Sequence, residues 1–271
     1  MSDPGTLERH QPHQRSPLRA VAVPSEHGGW ALTAEPVLLG LLVAPSVAGA
    51  AIGTAAMLAF LARTPLRVVL VDCWRHRRLP RTILAGRVSA IELLALGALI
   101  AAAALRSGGA WWAPLLAAVP LVAVEMWFDM RSRSRRLAPE LCGAVGIASV
   151  AAAIARAGGT GWSIALGLWV VLAARSVASV PFARAQVQRI RGHIVRPHGM
   201  DVAQAAALAA VLAGWGAGAV PVAAVAAVGI VAAGQASWLR LRPPPVVVLG
   251  ITQLLIGTAI VLTTAGAIRL G

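Results

Sequence analysis

The stretch ALTAEPVLLGLLVAPSVAGAAIGTAAMLAFLA, residues 31–62, contains a single charged side chain, Glu35. A helical apolar segment of about 20 residues spans a hydrocarbon layer of about 30 Å, and similar runs follow along most of the chain. Of the 271 residues, 58% are hydrophobic, and the mean hydropathy is +0.75. Soluble domains are nearer 45–50% apolar. The sequence therefore predicts an all-α, multi-pass membrane protein.

Glycines, prolines and arginine clusters divide the apolar runs into about nine transmembrane helices. We expect them to form a single domain over residues 24–271. The preceding residues 1–23 are polar and rich in Pro, His and Gln, which is typical of a disordered tail. The nine predicted spans are 31–49, 51–71, 88–105, 111–130, 138–155, 161–182, 201–217, 219–238 and 246–268.

The arginines predict the orientation of these spans. All 24 basic residues are arginine, and with alternating spans 18 of them fall on the side of the N-terminus and three on the other side. Basic residues accumulate in cytoplasmic loops. We therefore expect the N-terminus inside, the C-terminus outside, and the chain in a bacterial cytoplasmic membrane, since heavy Ala, Val and Arg usage is typical of a high-GC bacterial genome.

Composition also argues against several classes of partner. The formal charge of +14 would indicate nucleic-acid binding in a soluble protein, but the positive-inside rule explains it here, so no nucleic-acid partner is expected. Cys73 and Cys142 belong to no C-x-x-C pair, so they predict neither a disulfide nor a cysteine metal site. None of the six histidines lies clearly within a span, so haem ligation in the bilayer is not expected.

Charged residues within or near a span are functional candidates, because burying charge in lipid is costly. Arg63 and Arg67 lie four residues apart, on one face of the second helix. Asp72 and His76 follow near its end, and they are candidates for acid or base catalysis. The alternative for this segment is an anchor of Trp74 and loop arginines, with Asp72 paired to a nearby guanidinium.

The fourth helix ends in VEMWFDMRSRSRR, residues 124–136, which places Glu125 and Asp129 one turn apart. Two carboxylates on one helix face are a weak signal for a divalent cation such as Mg²⁺. An ion pair from Asp129 to Arg133 explains the spacing equally, and we favour it.

The sixth helix carries Arg175, Arg184 and Gln188 at nearly helical spacing, without an acid among them. Guanidinium groups bind phosphate or carboxylate with two hydrogen bonds. Together with Arg63 and Arg67, these residues predict an arginine-lined anion site facing the cytoplasm. The alternative, positive-inside anchoring, explains Arg189 and Arg191 well and Arg175 poorly.

The segment SEHGGW, residues 25–30, begins the first helix. Glu26 suits a first helical turn and Trp30 suits a membrane interface, which leaves His27 and the two glycines unexplained. We expect Glu26 and His27 to close over the anion site as a lid and to be candidates for catalysis, with Trp30 contacting substrate.

The segment PSEHGGWALTAEPVLLGLL, residues 24–42, resembles the opening signature of the YwiC-like family of bacterial membrane proteins. Looser matches are RTPLR (63–67), RRLAPELCG (135–143), FARAQVQRIRG (182–192) and RPPPVVVLGITQLLIG (242–257). The resemblance implies a polytopic membrane protein and names no activity.

Nine helices with basic loops after the second and sixth are also similar, more distantly, to the UbiA superfamily of intramembrane prenyltransferases. That resemblance implies Mg²⁺ and a prenyl pyrophosphate bound by aspartate-rich motifs at those two places. Here only Asp72 stands in the first motif, and the second motif has no acid. Metal-assisted chemistry therefore lacks most of its ligands.

Acids bind an anion through a bridging metal ion, whereas arginines in their place would bind the anion directly. The sequence thus predicts a UbiA-like bundle that binds an anionic amphiphile, an isoprenoid or other lipid with a phosphate or carboxylate head, and leaves open whether it is a transferase. The alternatives are a transporter of a small anion and a non-catalytic membrane assembly factor.

Overall fold

The computed structural model describes residues 27–77, 79–131 and 136–271. These residues form nine α-helices, which agrees with the predicted all-α fold and the predicted number of helices. The helices are α1 (His27–Val43), α2 (Val47–Trp74), α3 (Pro80–Arg106), α4 (Ala113–Met130), α5 (Leu137–Ala157), α6 (Trp162–Ile190), α7 (His198–Gly216), α8 (Val222–Leu239) and α9 (Val246–Leu270).

Seven of these helices are long and apolar enough to cross a membrane, namely α2 to α6, α8 and α9. The apolar part of α1, Gly29–Val43, is shorter. Helix α7 carries Asp201 in its first turn and a buried glutamine, Gln204, in its second. The orientation of the termini and the UbiA-like arrangement stay predictions.

The largest differences from the predicted helix boundaries are at the break between α1 and α2, the start of α3 and the end of α6. The break between α1 and α2 falls at residues 44–46, because the Ser46 hydroxyl accepts a hydrogen bond from the Gly49 N–H (2.9 Å) and caps α2. Helix α3 begins at Pro80 instead of residue 88, since proline suits the first helical position. Helix α6 continues through Pro181 to Ile190.

Helices α5 and α6 form the centre of the bundle. Helix α5 packs against α1, α2, α4 and α6, and α6 packs against α1, α5, α7, α8 and α9. The central face of α5 is almost continuous alanine, and Ala151, Ala152, Ala153 and Ala155 are fully buried. Such small side chains let helix backbones approach closely, which drives helix association in lipid.

The helices alternate in direction, so most of the arginines collect at one end of the bundle. This basic end contains the C-termini of α2, α4, α6 and α8 and the N-termini of the five other helices. Contacts such as Arg189 with the Leu239 carbonyl (2.7 Å) and Arg240 with Asp201 (3.0 Å) join its elements. The opposite end carries Arg106, Arg156 and Arg269.

Candidate functional site

Helix α2 reaches the basic end and stops in a tight turn. The Arg77 N–H donates to the Asp72 carbonyl (2.8 Å), and the His76 N–H donates to the Cys73 carbonyl (3.0 Å). These two bonds define a Schellman motif, in which the residue at the position of His76 adopts a left-handed backbone. His76 accordingly has φ +52°, and it is the non-glycine residue with positive φ in the described part of the chain.

Three other helices end in the same hydrogen-bond pattern, and each has glycine at the left-handed position. Gly159 (φ +89°), Gly192 (φ +82°) and Gly218 (φ +69°) follow α5, α6 and α7. Glycine adopts this conformation without steric cost, whereas a residue with a Cβ costs about 1–2 kcal/mol there. Strained backbone of this kind concentrates at functional sites, which makes His76 a candidate for a role beyond ending the helix.

His76 lies at the edge of an open groove between the ends of α2 and α4, with a volume of about 440 Å³. The surface of the groove is mostly apolar. Its lining residues are Leu70, Cys73, Trp74, His76 and Met130. An apolar groove with one polar group at its rim is suited to the hydrocarbon part of an amphiphile.

Arginines are next to three of the lining residues in the chain. Arg75 follows Trp74, Arg77 follows His76 and Arg131 follows Met130. The Arg131 guanidinium lies over the Trp127 ring (4.2 Å to the centroid) and near that of Trp74 (5.9 Å), and the two rings contact each other edge to face. A cation–π contact uses the charge of the guanidinium and leaves its N–H donors to bind an anion.

Asp72 fixes the start of α3. Its carboxylate accepts hydrogen bonds from the Thr82 hydroxyl (2.6 Å) and from Arg81 (3.1 Å), and the residue is buried. The Asp72 carboxylate thus stabilises the hairpin of α2 and α3. The acid or base role predicted for Asp72 stays a prediction.

Arg63 of α2 binds both carboxylates near the end of α4. Its guanidinium lies 3.0 Å from Asp129 Oδ2 and 2.8 Å from Glu125 Oε1. The Glu125 carboxylate packs against Gly143 of α5, where a Cβ would lie 2.5 Å from Glu125 Cδ. The expected bond from Asp129 to Arg133 cannot be compared, because Arg133 lies outside the described residues.

These contacts bear on the predicted magnesium site. Glu125 and Asp129 converge on a guanidinium, and the described ranges contain no group of three or more His, Cys, Asp or Glu side chains able to hold a metal ion. A Mg²⁺ ion would have to displace the Arg63 guanidinium from these two carboxylates, and the metal site stays a prediction.

The other predicted arginines on α6 also meet acids. Arg184 binds the Glu140 carboxylate of α5 (3.2 Å to each oxygen), and both side chains are partly exposed. Gln188, on the next turn, and Arg67, on α2, are half-buried. Among the described residues, neither the groove at the end of α2 nor the cavity beside Trp215 is lined by Arg67, Arg175 or Arg184. Their anion-binding role stays a prediction.

Arg175 pairs with Glu35 in the interior, between α6 and α1. The distance from Nη2 to Oε1 is 2.7 Å, and the two side chains are 4% and 6% exposed. The same nitrogen donates to the Gln253 carbonyl of α9 (3.1 Å). Gly257 of α9 packs against the pair, where any Cβ would collide with the Glu35 carboxylate. The sequence marks Glu35 and Arg175 as buried charges without showing that they meet.

A second buried polar network was missed by sequence reasoning. Gln204 of α7 donates to Gln235 Oε1 of α8 (3.0 Å) and to the Ala178 carbonyl of α6 (3.0 Å). Gln235 in turn donates to the Ser179 hydroxyl (3.1 Å). Buried amides in otherwise apolar helices signal such a network, because each needs a partner in lipid.

The start of α1 packs against α2. Gly29 accommodates the Phe60 ring, since a Cβ there would lie 2.5 Å from Phe60 Cε2, and Trp30 contacts the same ring edge to face (5.1 Å between centroids). Trp30 and Gly29 thus have a packing role. Glu26 lies outside the described residues, as does the side chain of His27, so the lid remains a prediction.

The described residues form nine helices, seven of them able to span a membrane, and they define a polytopic membrane protein with a basic end. Residues 23–155 match the family model described as YwiC-like protein, so α1 to α4 and most of α5 are YwiC-like, and the predicted resemblance is confirmed for this segment. The two resembling segments 182–192 and 242–257 lie beyond the match. No curated protein and no solved structure matches the chain.

Proposed function

We propose that this membrane protein binds an anionic amphiphile, such as an isoprenoid phosphate, in the groove between the ends of α2 and α4. The observation that carries the proposal is the left-handed backbone of His76 at the groove's edge. The three equivalent helix ends have glycine. The imidazole therefore occupies a position where a side chain lowers the stability of the protein. Contact between the imidazole and a ligand would explain why a histidine is present there.

The groove has apolar surface for the tail of such a molecule and basic residues nearby for its anionic head. Its tail would lie along Leu70, Trp74 and Met130, since burying apolar surface contributes about 25 cal/mol per Å². The head would lie among Arg131, His76 and the arginines that follow Trp74. Nearby acids are engaged elsewhere, because Asp72 binds Arg81 and Asp129 binds Arg63. The positive-inside rule supports a cytoplasmic location for this end.

The role of the site is binding, and a transferase reaction would need groups beyond those described. His76 supplies an imidazole, whose ring nitrogens can form hydrogen bonds with the head group. The site binds the head through arginine and histidine, in place of the metal ions that the UbiA resemblance implies.

The binding proposal is tested with geranylgeranyl phosphate and the uncharged geranylgeraniol. Native mass spectrometry and thermal unfolding of the full-length protein in detergent report binding. We expect the phosphate to bind and to raise the melting temperature, and the alcohol to bind at least tenfold more weakly, which corresponds to about 1.4 kcal/mol.

Arg131→Gln and Arg156→Gln form a matched pair of variants. Both arginines lie over a tryptophan, at 4.2 Å from the Trp127 ring and 4.4 Å from the Trp162 ring, but Arg156 is at the opposite end of the bundle. We expect Arg131→Gln alone to weaken the binding of the phosphate. Equal affinity of the phosphate for the two variants, or equal binding of phosphate and alcohol to the wild type, would overturn the proposal.

A further inference from the structure

Glu92 lies near the middle of α3, a helix that contributes no lining residue to the groove. Helix α3 runs from Pro80 to Arg106 and is among the most apolar membrane-span candidates. At 1.5 Å per residue, Glu92 is about 18 Å along its axis from Pro80. An ionised carboxylate at such a depth costs several kcal/mol unless a partner compensates its charge.

Helix α3 is peripheral, and among the described helices it packs mainly against α2. The stripe of α3 that faces α2 includes Ala85, Ser89 and Ala103, all buried, and half-buried Glu92. Ser89 is 5% exposed. Residues three apart are neighbours on a helix face, so the hydroxyl of Ser89 and the carboxyl of Glu92 are adjacent at this interface.

One atom of each polar group is enclosed without a hydrogen-bond partner. Ser89 Oγ and Glu92 Oε2 are inaccessible to solvent, and within the described ranges neither atom has a partner. A buried polar atom without a hydrogen bond costs about 1–3 kcal/mol. This feature is separate from the groove that His76 lines.

The charged residues around Glu92 belong to α2 and to α3 itself. The bonds from Asp72 to Arg81 and Thr82 fix the register of the hairpin, and they place Arg63 of α2 level with Glu92 and Arg67 one turn nearer the basic end. Arg63 binds Asp129 and Glu125. Arg87 is the nearest arginine on α3. Across the part of the chain that the structure describes, no ion pair involves Glu92.

We infer that Glu92, with Ser89 beside it, is a proton-binding site within the bilayer, whose carboxyl is neutral at about neutral pH. Protonation removes the charge that lipid disfavours and gives the carboxyl an O–H donor. A bound sodium or other metal ion would need more oxygen ligands than one carboxyl and one hydroxyl supply.

The experiment uses dicyclohexylcarbodiimide, an apolar reagent that reaches carboxyl groups through lipid. The protonated carboxyl adds to the carbodiimide, and the adduct rearranges to a stable N-acylurea with no group leaving, whereas a carboxylate without a proton does not start the reaction. The full-length protein in lipid nanodiscs is labelled at a series of pH values, digested and mapped by mass spectrometry.

We expect Glu92 to be labelled at about neutral pH, and labelling to fall at least tenfold in alkaline buffer, as one decade of proton activity changes the protonated fraction by up to tenfold. Glu140, which is partly exposed and bound to Arg184, is the matched internal control, and we expect it to remain unlabelled. Glu92→Asp keeps a carboxyl and should still be labelled, and Glu92→Gln should not.

The wild-type map suffices to overturn the proposal if either variant fails to fold. Absence of label on Glu92 under conditions where free lipid-soluble carboxylic acids react would show that the group is ionised or inaccessible. Protection of Glu92 by sodium at constant pH and ionic strength would show that the site binds a metal cation instead. Equal labelling of Glu92 and Glu140 would also count against a proton site specific to Glu92.

Discussion

Arg175 and Glu35, which are 140 residues apart in the chain, form a 2.7 Å ion pair in the interior of the bundle. The pair joins α6 to α1, and a further bond to the Gln253 carbonyl adds α9. Each charge is compensated by the other, so the pair fixes how these three helices meet. Removing one partner leaves the other as an uncompensated buried charge, which is the costly case.

Glu35→Gln tests this pair. The substitution keeps the shape of the side chain and leaves the charge of Arg175 uncompensated, so we expect a loss of about 3–5 kcal/mol of stability. Thermal unfolding in detergent measures the change. Asp201→Asn, which breaks the exposed pair with Arg240, is the control and should cost less than about 1 kcal/mol. The double variant Glu35→Gln/Arg175→Gln should be more stable than Glu35→Gln, and a double variant no better than the single would contradict the coupling.

Gly257→Ala should destabilise the same junction from the side of α9. A Cβ at this position collides with the Glu35 carboxylate and lies 2.8 Å from Arg175 Nη2, so the pair has to separate or α9 has to move outward. Overpacking of this kind costs about 1–3 kcal/mol. Gly250 lies two turns away on α9 with open space around it, and we expect Gly250→Ala to be neutral or mildly stabilising in the same unfolding experiment. Equal melting temperatures for the two alanine variants would show that the junction tolerates the methyl group.

The number of helices and the basic end could be predicted from sequence, because apolar length and arginine position are properties of single segments. Even so, the start of α2 and the turn between α2 and α3 depend on Ser46, Asp72 and Pro80. The capping roles of these residues can be recognised only when the position of the neighbouring turn is known. Charge pairing between helices could not be predicted from spacing within one helix. The Asp129 carboxylate binds Arg63 of another helix, a partner that no spacing within α4 reveals.

The candidate groove could be predicted only in part. His76 and the arginine-rich turn were visible as a cluster of polar residues after an apolar run. The left-handed backbone of His76 was not, since glycine is the residue that usually signals a Schellman motif. Arg175 and Arg184 were expected in one anion site from their spacing, but pairing with Glu35 and Glu140 depends on the packing of α6 against α1 and α5.

Arg189→Ala is expected to loosen the contact between α6 and the end of α8. Arg189 donates to the carbonyls of Leu239 (2.7 Å) and Leu241 (2.6 Å), which lack helical partners at the end of α8. A charged donor to such groups contributes about 1.5–3 kcal/mol when buried and less when exposed, so we expect a loss of about 1 kcal/mol. Hydrogen exchange should rise in residues 236–241. Arg191→Ala, two residues along, serves as the control, and an equal rise in both variants would contradict the capping role.

His76→Gly tests the effect of His76 on stability separately from its effect on ligand binding. Glycine adopts φ +52° freely, so the substitution should stabilise the end of α2 by about 1 kcal/mol, which thermal unfolding without ligand would show as a higher melting temperature. The same variant loses the imidazole at the groove and should bind geranylgeranyl phosphate more weakly than the wild type. Gly192→Ala at the end of α6 is the reverse control, since a Cβ at φ +82° should lower stability while leaving binding unchanged. A His76→Gly protein that is more stable and binds the phosphate as tightly as the wild type would show that the histidine serves no ligand at this groove.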